Sequence, residues 1–159
     1  MIFITLGSQK FQFDRLLRAV DELVENGQLT DEVFAQTGYS DYQPRNYKYS
    51  QFLDREAFLE LQKKADLIIT HGGTGAIINA VKNGKKVIAV PRLSKYGEHV
   101  DDHQMQIVKE FEDLGYISAC YEIEQLANVF QIIISRDFNK YVSNTDNYIE
   151  AIENYIDNN

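Results

Sequence analysis

Short apolar segments alternate with amphipathic helical patterns along the whole chain. The apolar segments are rich in β-branched and aromatic side chains, which favour strands. Between them, apolar residues recur every three or four positions, which is typical of helices with one buried face. Strands are predicted at residues 2–6, 32–37, 47–52, 67–70, 86–90 and 116–121. Helices are predicted at residues 16–24, 55–64, 103–114, 122–135 and 144–157, and a further helix begins just after residue 75.

This alternation predicts an α/β fold, a Rossmann-like parallel sheet with helices on both faces. No linker or repeat divides the chain, so residues 1–159 are expected to form a single domain. Ligands of such sheets bind beyond the carboxyl ends of the strands. Three predicted loops fall on that edge, at residues 7–11, 71–75 and 91–104.

Charge and composition narrow the range of functions. The net charge is −8 at pH 7 and no run of Lys or Arg exceeds two residues, which argues against a nucleic-acid partner. Cys120 is the single cysteine, so we expect a small buried residue in a reducing compartment rather than half of a disulfide. Neither a leader peptide nor a membrane-spanning segment is expected, since no apolar stretch approaches about 20 residues.

The loop at residues 71–75 carries the strongest chemical signal. It reads His71-Gly72-Gly73-Thr74-Gly75, directly between a buried strand and a helix. A helix N-terminus presents unpaired N–H groups and the positive end of the helix dipole, and glycines let a phosphate approach the backbone. The pattern therefore predicts an anion site, with phosphate as the first ligand to consider. Close helix–strand packing is the alternative reason for the glycines.

Gly7, Ser8 and His71, all at this edge, each have both a functional and a structural interpretation. Gly7 and Ser8 follow the first strand and could hold a phosphate oxygen, although Gly-Ser turns are also common without a ligand. His71 could donate to a phosphate or a hydroxyl, or could bond only to its own loop. Replacing Gly73 by a bulky residue is expected to abolish ligand use without unfolding the domain.

The third loop raises the question of a metal. His99 and His103 are four residues apart, a known zinc spacing, with acidic neighbours that include Asp101. The glutamate that follows the first histidine in zinc proteases is replaced by Val100, and a further ligand is not evident. No metal site is therefore predicted. Asp102, His103 and Gln104 open a helix and can present polar groups to a hydroxyl-rich ligand, while a carboxylate there can also act as a cap.

In combination and order, the three loops resemble the C-terminal, nucleotide-sugar-binding half of the GT-B glycosyltransferases. The resemblance is to glycosyltransferase family 28, which includes MurG, and within it to the Alg13-like group and its bacterial capsule and exopolysaccharide counterparts. It is strongest over residues 1–117, and the helices predicted within residues 122–157 carry little of it. The matching segments are residues 3–8, 13–17, 36–38, 66–84, 87–91 and 98–104.

The resemblance implies a set of donor contacts. The diphosphate of a UDP-sugar would be bound by Gly7, Ser8 and the glycine loop after His71, and the sugar would face Asp102, His103 and Gln104. Main-chain groups near residues 36–38 and 52–53 would hold the uracil. Related enzymes carry a glutamate that grips the ribose hydroxyls, and Asn79 stands at that position here. The implied donor-binding residues are Gly7, Ser8, His71, Gly72, Gly73, Thr74, Gly75, Asn79, Asp102, His103 and Gln104.

The resemblance also implies a division of labour between two proteins. A GT-B enzyme binds donor and acceptor on two domains, and this chain has only the donor half. A membrane-anchored Alg14-like partner would supply the acceptor half at the cytoplasmic face of the membrane. The expected reaction is inverting, metal-independent transfer of a hexose, with galactose favoured, to a lipid-linked sugar in capsule or exopolysaccharide synthesis. No cofactor is implied beyond the UDP-sugar donor.

The general base is not assigned by these patterns. It is expected on the partner, and His71 and His103 are the candidates within this chain. The alternative function is a UDP-sugar-binding regulatory module without transferase activity of its own. Product formation in the presence of the partner would separate the two.

Overall fold

The computed structural model describes residues 1–142 as alternating strands and helices. The predicted helix at residues 144–157 lies outside the described residues. The strands are β1 (Ile2–Thr5), β2 (Val33–Gln36), β3 (Lys48–Ser50), β4 (Leu67–His71), β5 (Lys86–Val90) and β6 (Ser118–Ala119). The α-helices are α1 (Asp14–Glu25), α2 (Arg55–Lys64), α3 (Thr74–Lys82), α4 (Gln104–Asp113) and α5 (Leu126–Ile133).

The strands form one parallel sheet in the order β3-β2-β1-β4-β5-β6. Strand β1 is central, with Ile2 paired to Val33 on one side and to Leu67 on the other. The chain builds outward from β1 through β2 to β3, then returns to lay β4 on the opposite side of β1. Such a reversal leaves a crevice at the carboxyl ends of β1 and β4, where ligands of open α/β sheets bind.

Both faces of the sheet are covered, as the apolar strands predicted. One buried cluster joins Ile4 of β1 to Leu17 of α1 and Leu126 of α5. On the other face Phe3 packs in a cluster with Phe111 of α4. The predicted α/β class, with a Rossmann-like sheet between two helical layers, is confirmed.

The C-terminal part of the sheet departs from the predicted bounds. Only Ser118–Ala119 form β6, instead of residues 116–121, because this edge strand pairs with β5 at two positions alone. Residues 122–135 do not form one helix. A 3₁₀ turn at Ile123–Gln125 precedes α5, which spans Leu126–Ile133. Cys120 is buried, as expected, and its burial raises the pKa of the thiol to about 11.

The long loop between β2 and β3 is tied to helix α1. Asp14 Oδ1 accepts hydrogen bonds of 2.8 Å from the backbone N–H groups of Asp41 and Tyr42. The buried Asp21 carboxylate binds the same loop further along, at Arg45 and Asn46. These contacts make the segment an anchored surface loop. Over residues 1–142, none of the helices combines the length and apolar character needed to cross a bilayer.

Candidate functional site

The three predicted loops meet at the carboxyl edge of the sheet, around the imidazole of His71. This residue is the last of β4 and is buried. A Cβ on Gly7 would lie 2.8 Å from His71 Nε2, and a Cβ on Gly73 would collide with His71 Cε1. Gly7 also has a φ of +75°, which favours glycine. The imidazole therefore lies between Gly7 and Gly73, where any side chain would collide with it.

The contacts of His71 define its protonation state. Its Nδ1 accepts a hydrogen bond of 3.1 Å from the N–H of Gly73 and lies 3.4 Å from Gln104 Nε2. Burial, together with smaller effects of the nearby Arg92 and His99, lowers the pKa of His71 to about 3. The ring is therefore neutral at physiological pH. Because Nδ1 accepts, we assign its proton to Nε2, on the side of Gly7.

Gln104 links the second loop to the third. Its Oε1 accepts hydrogen bonds of 3.0 Å from the N–H groups of both Gly72 and Arg92. The side chain is 2% exposed, and a Cβ on Gly72 would lie 2.9 Å from Gln104 Cβ. Both lone pairs of this oxygen are engaged by the backbone. The geometry thus gives Gln104 a structural role, and the contact with the donor sugar that the resemblance implied stays a prediction.

Two buried charged residues, which the sequence motifs did not single out, lie beneath this edge. Arg92 is 1% exposed, and its guanidinium donates to the backbone oxygens of Leu6, Phe11 and Gln12. Glu98 is 0% exposed and lies in the same loop. The sequence did contain a sign of this cluster, because Arg92 comes two residues after the buried strand β5 and a charge in that position must be paired or solvated.

Arg15 of α1 completes this cluster. Its Nε and Nη2 each donate to a different carboxylate oxygen of Glu98, at 3.0 Å. Glu98 also accepts from the N–H of Leu93. Burial lowers the pKa of Arg92 to about 10, against the opposing effect of Glu98, so that Arg92 remains charged at neutral pH. Two cations and one anion are therefore held together below the loops.

Asp102 acts as a cap, which was the alternative interpretation of this residue. Its Oδ1 accepts hydrogen bonds from the backbone N–H and the hydroxyl of Ser94, at 2.8 and 3.0 Å. These bonds lower the pKa of the Asp102 carboxyl. The capped segment is the 3₁₀ turn Ser94–Tyr96 rather than α4. His103 occupies the N-cap position of α4, where its side chain makes no capping hydrogen bond.

His99, Asp101 and His103 form a compact cluster at the start of α4. One oxygen of Asp101 contacts the Nδ1 atoms of both histidines, at 3.2 Å for His99, and the two rings meet edge to face. One ligand atom from each residue lies within 4.8 Å of the others. The same carboxylate oxygen also accepts a hydrogen bond of 3.2 Å from the backbone N–H of His103. That this loop holds no metal stays a prediction.

A cleft of about 570 Å³ opens beside Gly7, between helices α2 and α3. Arg55, at the first position of α2, is the one charged residue among those that line it. The backbone at Gly75, in the first turn of α3, is also accessible, since a Cβ there would meet nothing within 4 Å. The cleft is lined by Thr5, Gly7, Ser8, Gln36, Leu53, Arg55, Phe58, Leu59, Ala76 and Asn79.

The Thr74 hydroxyl and two N–H groups near the expected uracil site are not available to a UDP-sugar in the way the sequence predicted for the other contacts. Thr74 is buried, and its hydroxyl has no hydrogen-bond partner among residues 1–142. Near the expected uracil position, the N–H groups of Thr37 and Gly38 already donate to Ser50 and Gln51. Those two donors are therefore not available to a base.

The model of the "Glycosyltransferase family 28 C-terminal domain" matches residues 1–157 of the chain. The chain belongs to this family. Its fold is that of an Alg13-like half of a GT-B glycosyltransferase, as the resemblance implied. Within the family 28 domain, the neutral His71 between two glycines and the buried Arg92 cluster lie where the loops of β1, β4 and β5 converge.

Curated relatives of this family 28 domain carry the name UDP-N-acetylglucosamine transferase subunit ALG13. The protein of Saccharomyces cerevisiae is 37% identical over 60 residues, which cover 38% of this chain and 28% of the relative. That of Candida albicans is 30% identical over 108 residues, or 68% of this chain and 29% of the relative. The chain thus spans less than a third of the length of these relatives.

Solved structures agree on the fold. An ALG13 structure determined by NMR has a TM-score of 0.59 at 19% identity and covers 89% of both chains. Acinetobacter baumannii MurG has a TM-score of 0.54 at 24% identity, over 83% of this chain and 41% of MurG. At these identities the likeness establishes the architecture alone.

Proposed function

We propose that this domain is the donor-binding subunit of a glycosyltransferase that uses a UDP-hexose. The supporting observation is the N-terminus of α3 beside Gly7, where the backbone at Gly75 faces open space. A phosphate is the ligand that suits such a backbone. The names of the curated relatives support both the UDP-linked donor and the role as a subunit.

The diphosphate is proposed to lie across the residue 7–8 turn and the first turn of α3. There the N–H groups and helix dipole would stabilise the charge that develops on the UDP leaving group. His71 would add a neutral Nε2–H donor on the Gly7 side. These groups supply the electrostatic stabilisation that an inverting displacement needs, so we propose transfer without a metal ion.

The nucleoside is proposed to occupy the cleft beside α2. Arg55 lies on its wall with no hydrogen bond or ion pair to any of residues 1–142, so its guanidinium is available to a ligand. Asn79 lines the same cleft, and its amide reaches Gln62 only weakly, at 3.5 Å. An amide can both donate to and accept from a ribose hydroxyl, as a neutral substitute for glutamate.

The acceptor half, the general base and the membrane anchor are proposed to belong to an Alg14-like partner. This places the domain at the cytoplasmic face of the membrane, with a lipid-linked sugar as acceptor. His103 is the remaining base candidate in this chain, since the acceptor nitrogen of His71 is already engaged by Gly73. Surface polysaccharide assembly and galactose follow from the sequence resemblance, whereas the names of the relatives favour N-acetylglucosamine.

The test is a binding titration of the purified chain with UDP, ADP, GDP and a panel of UDP-sugars. A ligand that binds only the folded state should stabilise it by about 2.7 kcal/mol at a hundredfold its dissociation constant. We expect a thermal shift with UDP compounds alone. The size of the shift should rank the affinities for UDP-galactose, UDP-glucose and UDP-N-acetylglucosamine. The same shift is expected after EDTA treatment, because no metal takes part in the proposed site.

Two outcomes contradict the proposal. Equal shifts with UDP, ADP and GDP would reject a uracil-specific cleft. The absence of any shift, both for the chain alone and for the complex with its partner, would reject the donor site itself.

A further inference from the structure

We propose that Arg92 is a positioning residue for the diphosphate, acting through the backbone of residues 7–12. The inference rests on the proposed function, since it assigns a task to residues behind the same site. Arg92 is 1% exposed and cannot touch a ligand in the cleft. Arg92 instead holds the loop of residues 7–12 in the conformation that binds a phosphate.

The guanidinium closes both ends of this loop. Its Nη2 donates to the oxygen of Leu6 at 2.6 Å, and its Nη1 donates to the oxygens of Phe11 and Gln12 at 3.2 Å. The loop leaves β1 at Leu6 and returns to α1 after Gln12. The guanidinium of Arg92 therefore holds both ends of a loop that has no regular secondary structure of its own.

The hydrogen bonds of the loop are one-sided. On the inner side of the loop, Arg92 donates hydrogen bonds to the carbonyl oxygens of Phe11 and Gln12. The backbone N–H groups of residues 8–11, in contrast, donate to no acceptor within residues 1–142. Successive unpaired N–H groups on a turn can bind an anion. By fixing the carbonyls inward, Arg92 leaves these donors free for an anion.

Glu98 fixes the segment that carries Arg92. Its backbone oxygen accepts from Arg92 Nη1 at 3.4 Å, and its carboxylate is gripped by Arg15 and by the N–H of Leu93. Arg15 also donates to the oxygen of Pro91, next to Arg92. The cluster carries two positive charges and one negative, so a net positive charge lies behind the loop. In a chain of net charge −8, this local charge favours an anionic ligand at that place.

The experiment compares the affinities of UDP and uridine, which share the base and ribose and differ in the diphosphate. Dissociation constants are measured by calorimetry for the wild-type chain and for Arg92→Lys and Glu98→Gln. Lysine keeps the charge but cannot reach three carbonyls from one planar group. We expect both variants to bind UDP at least tenfold more weakly and to bind uridine as the wild type does. Glu98→Gln also removes a negative charge, which alone would strengthen UDP binding, so weaker binding by this variant reports the loss of the carboxylate's hydrogen bonds to Arg15 and Leu93. Lys109→Gln, which removes an exposed charge from the far part of α4, should match the wild type for both ligands.

The possible results separate this inference from the proposed function. A wild-type chain that does not prefer UDP over uridine overturns the proposed function. A wild-type preference that both variants retain overturns the positioning role alone. An equal loss of UDP and uridine affinity also overturns it, because that result indicates general damage to the fold.

A second measurement does not depend on the folding of any variant. In the wild-type chain, UDP but not uridine should slow amide hydrogen exchange at residues 8–11, since only UDP brings a diphosphate to these N–H groups. Unchanged exchange at these amides under saturating UDP would overturn the inference. Protection by UDP that is absent in Glu98→Gln would support it directly.

Discussion

The His71 imidazole is held by two glycines and one backbone N–H, and this packing decides its charge. Sequence patterns indicated that His71 stands at the mouth of a phosphate site, but left open whether it bonds to a ligand or to its own loop. In the structure His71 bonds to its own loop through Nδ1, and a ligand contact through Nε2 stays a proposal. Burial explains why the ring stays neutral. Position along the chain cannot reveal burial, so this state was not predictable from the motif.

At this residue we predict a pH dependence of stability. The pKa of His71 is about 3 in the folded chain and about 6.5 when unfolded, so the unfolded state binds more protons between these values. The free energy of unfolding should therefore fall as pH drops through that window, by up to about 1.4 kcal/mol per pH unit from this group. Denaturant titrations of the wild type and His71→Gln between pH 7 and 5 measure the difference. Parallel curves for the two proteins would contradict the assigned burial of the charge.

A matched pair of glycine substitutions separates packing from ligand approach. Gly73→Ala places a methyl group against His71, which should destabilise the domain by about 1–3 kcal/mol. The sequence alone predicted that a replacement of Gly73 would leave the fold intact. The contact with His71 now predicts a loss of stability. Gly75→Ala meets open space, so its stability should be unchanged or higher by up to about 1 kcal/mol.

A larger side chain at the same position, Gly75→Leu, then tests the phosphate site through ligand binding. Gly75→Leu should fold as the wild type does and bind UDP at least tenfold more weakly, because the side chain would occupy the space of the diphosphate. Thermal melts and calorimetry measure the two quantities. Wild-type UDP affinity in Gly75→Leu would place the diphosphate elsewhere.

At the scale of elements, helix α1 does more than cover the sheet. Hydrophobic spacing predicted its buried face, which Leu16, Leu17 and Val20 form. The same helix carries Asp21, which is 2% exposed. Burial raises the pKa of Asp21, but hydrogen bonds from Tyr42, Arg45 and Asn46 outweigh it and lower the pKa below its usual value. A carboxylate on a helix is ordinarily solvated, so the sequence offered no sign of this anchor.

Asp21→Ala is expected to destabilise the domain by about 1–3 kcal/mol, because it removes the partly buried hydrogen bonds that hold residues 42–46 to α1. The bonds lost run from Tyr42 Oη at 2.6 Å and from the backbone N–H groups of Arg45 and Asn46 at 2.8 and 2.9 Å. Chemical denaturation measures the change. Asp41→Ala, in the exposed part of the same loop, serves as the control and should cost less than about 0.5 kcal/mol. Equal effects of the two substitutions would show that Asp21 is not an anchor.

At the scale of the whole molecule, the proposed function predicts dependence on a partner protein. The reaction of a two-domain glycosyltransferase takes place between its halves, and the cleft beside α2 is open on one side here. We predict that the purified chain transfers sugar poorly from its preferred UDP-hexose. Co-expression with an Alg14-like partner should raise product formation at least a hundredfold, measured with a lipid-linked acceptor and radiolabelled donor.

The Arg55→Gln variant in the same complex provides the matched comparison. It should raise the KM for the UDP-sugar, because Arg55 lines the proposed nucleoside cleft, and it should leave assembly with the partner intact. Full turnover by the isolated wild-type chain would contradict the need for a partner. Complete inactivity of the complex with every UDP-hexose would favour a binding module without transfer activity.

The periodicity of apolar residues and the spacing of glycines determined the fold class, the order of most elements and the edge of the sheet where the loops meet. These are local properties, because side chains alternate or recur along one segment, and parallel strands bring their carboxyl ends together. The sequence resemblance added the family. Tertiary structure alone decided that Gln104 binds the backbone and that Arg92 reaches Leu6, a residue 86 positions away. Such contacts depend on which strands become neighbours and on where burial removes water, and neither quantity is written in a local pattern.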